Sequence, residues 1–368
     1  MKVSEIDTPA LLIEQEIVLR NLQKMQSYAD AAGVSLRPHT KTHKMPYFAK
    51  LQESIGAAGI TVAKTGEAEI MAANGLKDIF IANEIVGELK FQRIIALLRA
   101  GINLSFGADS IEQARLIECA FERSGTKACV LAEIEVGENR SGFVEKQDFA
   151  AFIKFLKGCK NIEFRGVFSR DGHSYKAACK SECERIHLAA QRRTLEFADI
   201  ARELALPASV VSIGSTPSPI NDFEILKGVT EIRPGTYIFM DASQAQAYGD
   251  YSMNAASILT TVISRPTADR IITDVGAKGL TQQRRTEGLT ATPGLGRIKG
   301  TEVWIKGVYD EHAIIYDRAL RDAVRVGDRL EIYPNHICPV VNLHEFAYLV
   351  SGGEVVEKIP VLCRGKLQ

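Results

Sequence analysis

The stretch Ser35-Leu36-Arg37-Pro38-His39-Thr40-Lys41-Thr42-His43-Lys44 opens the alternating half of the chain and decides its fold. An extended, partly apolar run feeds a basic corner. A doubly wound dinucleotide-binding sheet carries Gly-x-Gly-x-x-Gly after its first strand, where glycine lets a helix N-terminus approach a pyrophosphate. Here the first strand, Ser35–Lys41, ends instead in Pro38-His39-Thr40-Lys41. Working outward, further strand candidates are Gly59–Lys64, Ile79–Asn83, Asn103–Phe106, Cys129–Glu135, Glu163–Ser169, Val210–Gly214 and Glu231–Phe239. Amphipathic stretches separate them at Pro46–Ala58, Gly66–Ala73, Val86–Ala100, Ser110–Arg123, Glu145–Lys157 and Lys180–Glu203. Ile111, Ala114, Ile117 and Phe121 recur three or four apart, the spacing of one helix face. Strands alternating with helices predict parallel βα units, and eight of them closing on themselves fit a span of roughly 200–250 residues. An open doubly wound sheet is the alternative.

Beyond about residue 245 the texture changes. Ser257–Ile263, Arg270–Val275, Glu302–Lys306, Ala313–Tyr316, Arg329–Tyr333, Glu345–Val350 and Val355–Val361 are short extended runs punctuated by glycine. Such spacing reads as an all-β domain. The expected fold class is therefore α/β, a (β/α)8 TIM barrel over residues 14–245 followed by a C-terminal all-β domain over 246–368. A length of 368 residues, at roughly 150 per domain, agrees with two domains.

Composition narrows the functional classes. Apolar residues form 46% of the chain and charged residues 24%, enough for a filled core. Basic and acidic residues balance at 45 each, so net charge leaves no footprint for nucleic acid or an anionic membrane. No apolar run approaches the roughly 18 residues that span a bilayer. The N-terminus, Met1-Lys2-Val3-Ser4-Glu5-Ile6-Asp7, is not a secretory signal, and seven scattered cysteines suit a reducing cytoplasm better than disulfides.

Active sites of such barrels lie at the C-terminal ends of the strands. The residues there are His39-Thr40-Lys41-Thr42-His43-Lys44, Glu135 to Gly142, Arg170-Asp171-Gly172-His173-Ser174-Tyr175, Gly214-Ser215-Thr216-Pro217-Ser218 and Arg233-Pro234-Gly235-Thr236-Tyr237. Lys41 has cationic neighbours, which disfavour an added charge and free its amine for imine formation; the same stretch also reads as a solvated basic loop. Gly214-Ser215-Thr216 and Gly235-Thr236 can present backbone N–H groups and hydroxyls to an anion, or be plain turns. A lysine from the first strand and a phosphate cup from the last two together form the constellation of a pyridoxal phosphate enzyme.

A second constellation is Pro334-Asn335-His336-Ile337-Cys338-Pro339. In an extended segment, residues two apart share a side, so His336 and Cys338 can bind one metal ion. Imidazole with thiolate favours zinc, with manganese, cobalt or magnesium open. A core cysteine beside a capping histidine is the other reading. Trp304 is expected in the core, His187 solvated, Cys179 and Cys183 half-buried, and His344 is a candidate support for the metal.

Arg37 to Lys44, Gly214-Ser215-Thr216-Pro217, Gly228 to Tyr237, Asp310-Glu311-His312 and His336-Ile337-Cys338 resemble the D-serine dehydratase and D-threonine aldolase family, which belongs with the alanine-racemase-like, fold-type III pyridoxal phosphate enzymes. The resemblance runs from Asp7-Thr8-Pro9 to nearly the C-terminus. It implies that residues 1–13 join the β domain and that Lys41 forms the imine with the coenzyme. It implies that Ser215, Thr216, Gly235, Thr236 and Tyr237 hold the phosphate, that Arg140 lies near the cofactor and that Tyr175 meets the pyridine nitrogen. His336 and Cys338 would bind a divalent metal beside a D-amino acid substrate, in a homodimer. Phe168-Ser169-Arg170-Asp171 lacks the aromatic residue of many aldolases, and Lys176 replaces a usual histidine. An arginine at the ring nitrogen would weaken the electron sink.

The expected function is a lyase acting on D-β-hydroxy-amino acids. It is dehydratase-like, giving 2-oxo acid and ammonia, or aldolase-like, giving glycine and an aldehyde, with the dehydratase favoured by His-x-Cys and Gly-His-Ser-Tyr. An amino-acid racemase and a non-catalytic pyridoxal phosphate carrier are the alternatives.

Overall fold

A computed structural model describes residues 1–368. The chain divides into two compact units, one of residues 25–41, 46–235 and 366–368, the other of residues 1–24, 42–45 and 236–365. No helix is long and apolar enough to cross a membrane.

The N-terminal strand β1 (Ala10–Glu14) precedes the barrel. The barrel strands are β2 (Ser35–Leu36), β3 (Ile60–Val62), β4 (Asp78–Glu84), β5 (Asn103–Ala108), β6 (Ala128–Ile134), β7 (Ile162–Arg170), β8 (Val210–Gly214) and β9 (Glu231–Ile232). All their pairings are parallel, in the order β2-β9-β8-β7-β6-β5-β4-β3. The ring closes through a parallel bridge between His39 and Thr61, where Thr40 N donates to Thr61 O at 2.8 Å and Thr61 N to Pro38 O at 2.9 Å. An eight-stranded parallel barrel is the result.

The first and last barrel strands are shorter than their sequence suggests, and proline explains why. Pro38 and Pro234 lack the N–H a regular ladder needs. Pairing continues irregularly past β2, with Arg37 N on Ile232 O at 3.0 Å and His39 N on Pro234 O at 2.9 Å. The chain thus stays extended up to Lys41. After β9 it turns into a single 3₁₀ turn, Thr236–Ile238, instead of continuing as strand. On β7, Gly166 has φ +155°, and a Cβ there would sit 1.9 Å from Val210 O, so only glycine allows the strands to close up. Inside the ring Phe80 and Phe168 meet edge to face at 5.1 Å beside Leu131, burying large apolar area in specific geometry.

The second unit is a nine-stranded sheet. To β1 it adds β10 (Ala256–Ser264), β11 (Arg270–Thr273), β12 (Gly296–Ile298), β13 (Ile305–Val308), β14 (Ala313–Tyr316), β15 (Arg329–Pro334), β16 (Phe346–Ser351) and β17 (Glu354–Pro360). β1 lies inside this sheet, antiparallel to β10 and parallel to β16. Its first four residues are all buried, the pattern of a strand covered on both faces.

Three local expectations fail, for His187, for the His336–Cys338 segment and for the half-buried Cys179 and Cys183. His187 is buried, not solvated, with Nδ1 3.1 Å from Asp171 Oδ2. The His336–Cys338 segment is extended only at His336 (φ −140°, ψ 108°); a helix, Ile337–Leu343, begins at the next residue. Pro339 near the helix start is the physical reason, since its fixed φ and missing N–H suit a first turn. Trp304 does lie in the core, beside Ala242 and Tyr333. Of the two helix-face thiols, Cys183 is buried and Cys179 exposed.

Candidate active site

In the barrel unit the candidate residues follow strand ends, where parallel strands splay and release loops. Lys41 comes just after the last hydrogen-bonded residue of the first strand and is half-buried, with its N–H 3.4 Å from His39 Nδ1. Arg140 follows β6, Tyr175 follows β7, Ser215 and Thr216 follow β8, and Gly235 follows β9. Thr216 N donates to the Tyr175 hydroxyl at 3.4 Å, and Gly235 N to Thr216 Oγ1 at 3.3 Å. These bonds are at the long end for N–H donors, so both amides can turn to a better acceptor at small cost. Tyr175, Thr216 and Gly235 are thus brought together.

Electrostatics at this rim are strongly cationic. Dense packing, then the positive charges of Lys41, Arg233 and Arg170, hold the His39 imidazole neutral, well below its ordinary pKa. Burial brings the Arg233 guanidinium down to about 10; it donates to Ser212 Oγ at 2.5 Å and Ser169 O at 2.8 Å, and stacks over Phe80 and Phe168. Arg140 is different. Its side chain is 53% exposed and tied at 2.9 Å to Glu133, whose other oxygen accepts from Ser141 at 2.7 Å. No short contact to the Tyr175–Thr216–Gly235 group accompanies that pairing. Glu133 in turn hydrogen-bonds Glu84, whose carboxyl is pushed up to about 9 by burial and by the Glu133 carboxylate. Two adjacent carboxylates in one interior retain a shared proton.

The second unit holds the remaining candidates. Cys338 Sγ lies 3.3 Å from Thr42 Oγ1 and 3.8 Å from Thr236 Oγ1. Tyr237 is fully buried. His336 Nδ1 is 3.0 Å from Gln283 Oε1, an acceptor-only atom, so Nδ1 is the donor and Nε2 is the ring nitrogen left for another partner. Asn335, between strand and helix, donates to Gln283 O at 3.0 Å and accepts from Thr292, fixing that loop. Asp241 caps the helix Ala242–Tyr248 through Gln244 N at 2.8 Å and accepts from Ile337 N at 3.2 Å, anchoring the start of the His-x-Cys helix. His344 points elsewhere, to Gly279 O at 3.0 Å, and burial lowers its pKa. It does not support the His-x-Cys pair.

This donor set fits pyridoxal phosphate. A dianionic phosphate needs amide donors, which the loops after β8 and β9 offer, and Lys41 would be the imine partner. No group of three or more His, Cys, Asp or Glu side chains could hold a metal, so His336 and Cys338 would have to be completed by other ligands. A ligating histidine oriented through its other ring nitrogen, as His336 is by Gln283, is the usual support for such an ion.

Sequence reading placed Thr42 and Arg233 at the strand ends without a role of their own and passed over Gln283 and Glu84. Arg233 had a signal, a charged residue inside the last barrel strand flanked by Ile232 and Pro234. Gln283 had none, because its role depends on a loop 53 residues before His336.

A parallel eight-stranded barrel with a lysine after the first strand, an amide cup after the last two and a following β unit defines a pyridoxal phosphate enzyme of fold type III. Residues 13–243 match the alanine racemase N-terminal domain and residues 255–350 the putative serine dehydratase domain. The chain belongs to the alanine racemase N-terminal domain family, in the branch that adds the serine dehydratase domain. It is 29% identical over 367 residues to D-threonine aldolase of Arthrobacter sp, covering 99% of this chain and 94% of that one. It is 31% identical over 350 residues to D-threo-3-hydroxyaspartate dehydratase of Delftia sp. (strain HT23), covering 90% and 91%. A solved cysteine-to-alanine mutant of D-threo-3-hydroxyaspartate dehydratase, in the metal-free form, superimposes with a TM-score of 0.91 at 28% identity, over 98% of each chain.

Proposed function

We propose that the protein is a pyridoxal phosphate- and divalent-metal-dependent lyase of D-β-hydroxy-amino acids, of the dehydratase type, releasing a 2-oxo acid and ammonia. The observation that carries this reading is the 3.3 Å contact of Cys338 Sγ with Thr42, the residue bonded to Lys41. The metal-free cysteine mutant of the related dehydratase supports a ligand role for Cys338.

When bound, the coenzyme supplies an electron-accepting ring that acidifies the α-carbon of an attached amino acid. Lys41 would hold the coenzyme, and its Nζ would serve as the base for the substrate α-proton. Thr216, Gly235 and Thr236 offer N–H and O–H groups to the phosphate, with Ser215 and Tyr237 flanking them. Arg140, held by Glu133, and Tyr175, with Arg170 over its ring, would contact the coenzyme ring. His336 Nε2 and Cys338 Sγ would hold the ion, zinc by ligand softness, which supplies a Lewis acid for the β-hydroxyl. A homodimer in a reducing cytoplasm completes the proposal, in keeping with seven free thiols.

One incubation tests it. Metal-loaded protein with D-serine, D-threonine and D-3-hydroxyaspartate should give oxo acid and ammonia from at least one of them. Glycine without ammonia would assign aldolase chemistry instead. Full activity after chelation, with interconversion of enantiomers, would assign a racemase and overturn the proposal.

A further inference from the structure

A buried polar chain in the barrel unit is not used by the lyase reading. Asp171 begins the loop after β7, and His187 lies on the helix Lys180–Glu203; they are 4% and 3% exposed. Burial alone would raise the Asp171 pKa, but hydrogen bonds from His187 and Ser215 hold it below its ordinary value. An ionised carboxylate only accepts, so His187 Nδ1, 3.1 Å from Asp171 Oδ2, carries the hydrogen. Ser218, fully buried on the short helix Pro217–Ile220, donates to the same oxygen at 3.4 Å. Ser218 Oγ also lies 3.2 Å from Ser215 Oγ. Both serine hydroxyls are thus drawn towards the Asp171 carboxylate and towards each other.

The Ser215 side chain is therefore committed to the protein interior. What Ser215 retains for an anion is its backbone N–H, whose direction depends on how Ser215 and Ser218 are held. Cys183, one helical turn before His187, is no competitor for that role, because burial and then the Asp171 charge raise its thiol to about 12.

We propose that Asp171 and His187 are positioning residues that fix the phosphate cup through Ser218 and Ser215. This rests on the reading that Ser215, Thr216 and Gly235 receive the coenzyme phosphate. A group acting through the cup must alter phosphate recognition more than recognition of the ring. Pyridoxal, which lacks the phosphate, is the discriminating probe.

The experiment titrates apo-protein with pyridoxal phosphate and, separately, with pyridoxal, following coenzyme absorbance, and records the ³¹P shift of the bound phosphate. In His187→Leu the Kd for pyridoxal phosphate should rise about tenfold, the loss of roughly one hydrogen bond, while that for pyridoxal changes less than about twofold. The ³¹P signal should move. His187→Asn, which returns an N–H near the Nδ1 position, should recover most of the affinity. Ser218→Ala, a smaller change, should act in the same direction and decides the matter if His187→Leu does not fold. Equal weakening of both ligands, or no weakening of either, would overturn the proposal. Because coenzyme binding is read without turnover, failure on D-hydroxy-amino acids would refute the lyase assignment alone.

Discussion

Replacing Glu84 with Gln should remove a pH-dependent weakness of the fold. The Glu84 carboxyl is pushed from 4.5 up to about 9, by burial first and then by its hydrogen bond to Glu133 and that carboxylate's charge, with Asp109 adding to the effect. In the unfolded chain it titrates near its ordinary value. Between those two values the folded protein binds a proton that the unfolded chain has released, so stability falls as pH rises. Each pH unit inside that window costs about 1.4 kcal/mol. From pH 5.5 to 8.5 the loss approaches about 4 kcal/mol, and the partial solvent access of Glu84 and Arg140 reduces this to about 2–3 kcal/mol. Glutamine replaces the carboxyl O–H with an amide N–H that Glu133 can accept, and it cannot ionise. Urea unfolding of both proteins at the two pH values measures the effect. Wild type should lose stability towards pH 8.5, and Glu84→Gln should lose about 2–3 kcal/mol less. Parallel pH slopes would refute the shared-proton account of the Glu84–Glu133 pair.

Lys41→Ala should abolish turnover of every D-hydroxy-amino acid and the absorbance of covalently held coenzyme, read by spectrophotometry; surviving activity would remove Lys41 from the imine role. Cys338→Ala should lose bound metal by elemental analysis and lower kcat by at least about a hundredfold, while coenzyme absorbance persists. Asp241→Ala removes acceptors from Gln244 N, Ser243 Oγ and Ile337 N and should cost about 2–3 kcal/mol in urea unfolding. Asp241→Asn, which keeps one acceptor oxygen, should lose about half as much.

Barrel and β unit were legible because their signals are local and periodic. The face formed by Ile111, Ala114, Ile117 and Phe121 declares a helix without reference to the rest of the chain, and Ile111–Glu122 is that helix. Lys41 and the Gly-Ser-Thr and Gly-Thr corners could be found because strand ends of parallel barrels converge whatever the sequence between them. Prediction went wrong where one residue's environment is set by a distant one. His187 sits in the highly charged helix Lys180–Glu203, and its sequence neighbours suggested water. Its burial follows from Asp171, 16 residues away, and from Phe223 across the helix. The His336–Cys338 segment looked extended because a two-residue spacing carries no helical period, although Pro339 in the next position favours a first helical turn.

The order of strands and helices, the absence of a dinucleotide fingerprint and the residue types available at each strand end were present in the linear chain. They follow from side-chain periodicity and from backbone restrictions that act within a few residues. Protonation states and pairings were decided by the tertiary structure. A neutral His39, a protonated Glu84 and a cysteine against Thr42 each depend on charges and atoms that folding brings within a few ångströms from remote positions. Coulombic and desolvation effects are set by distance in space and by exclusion of water, neither of which is written in sequence separation.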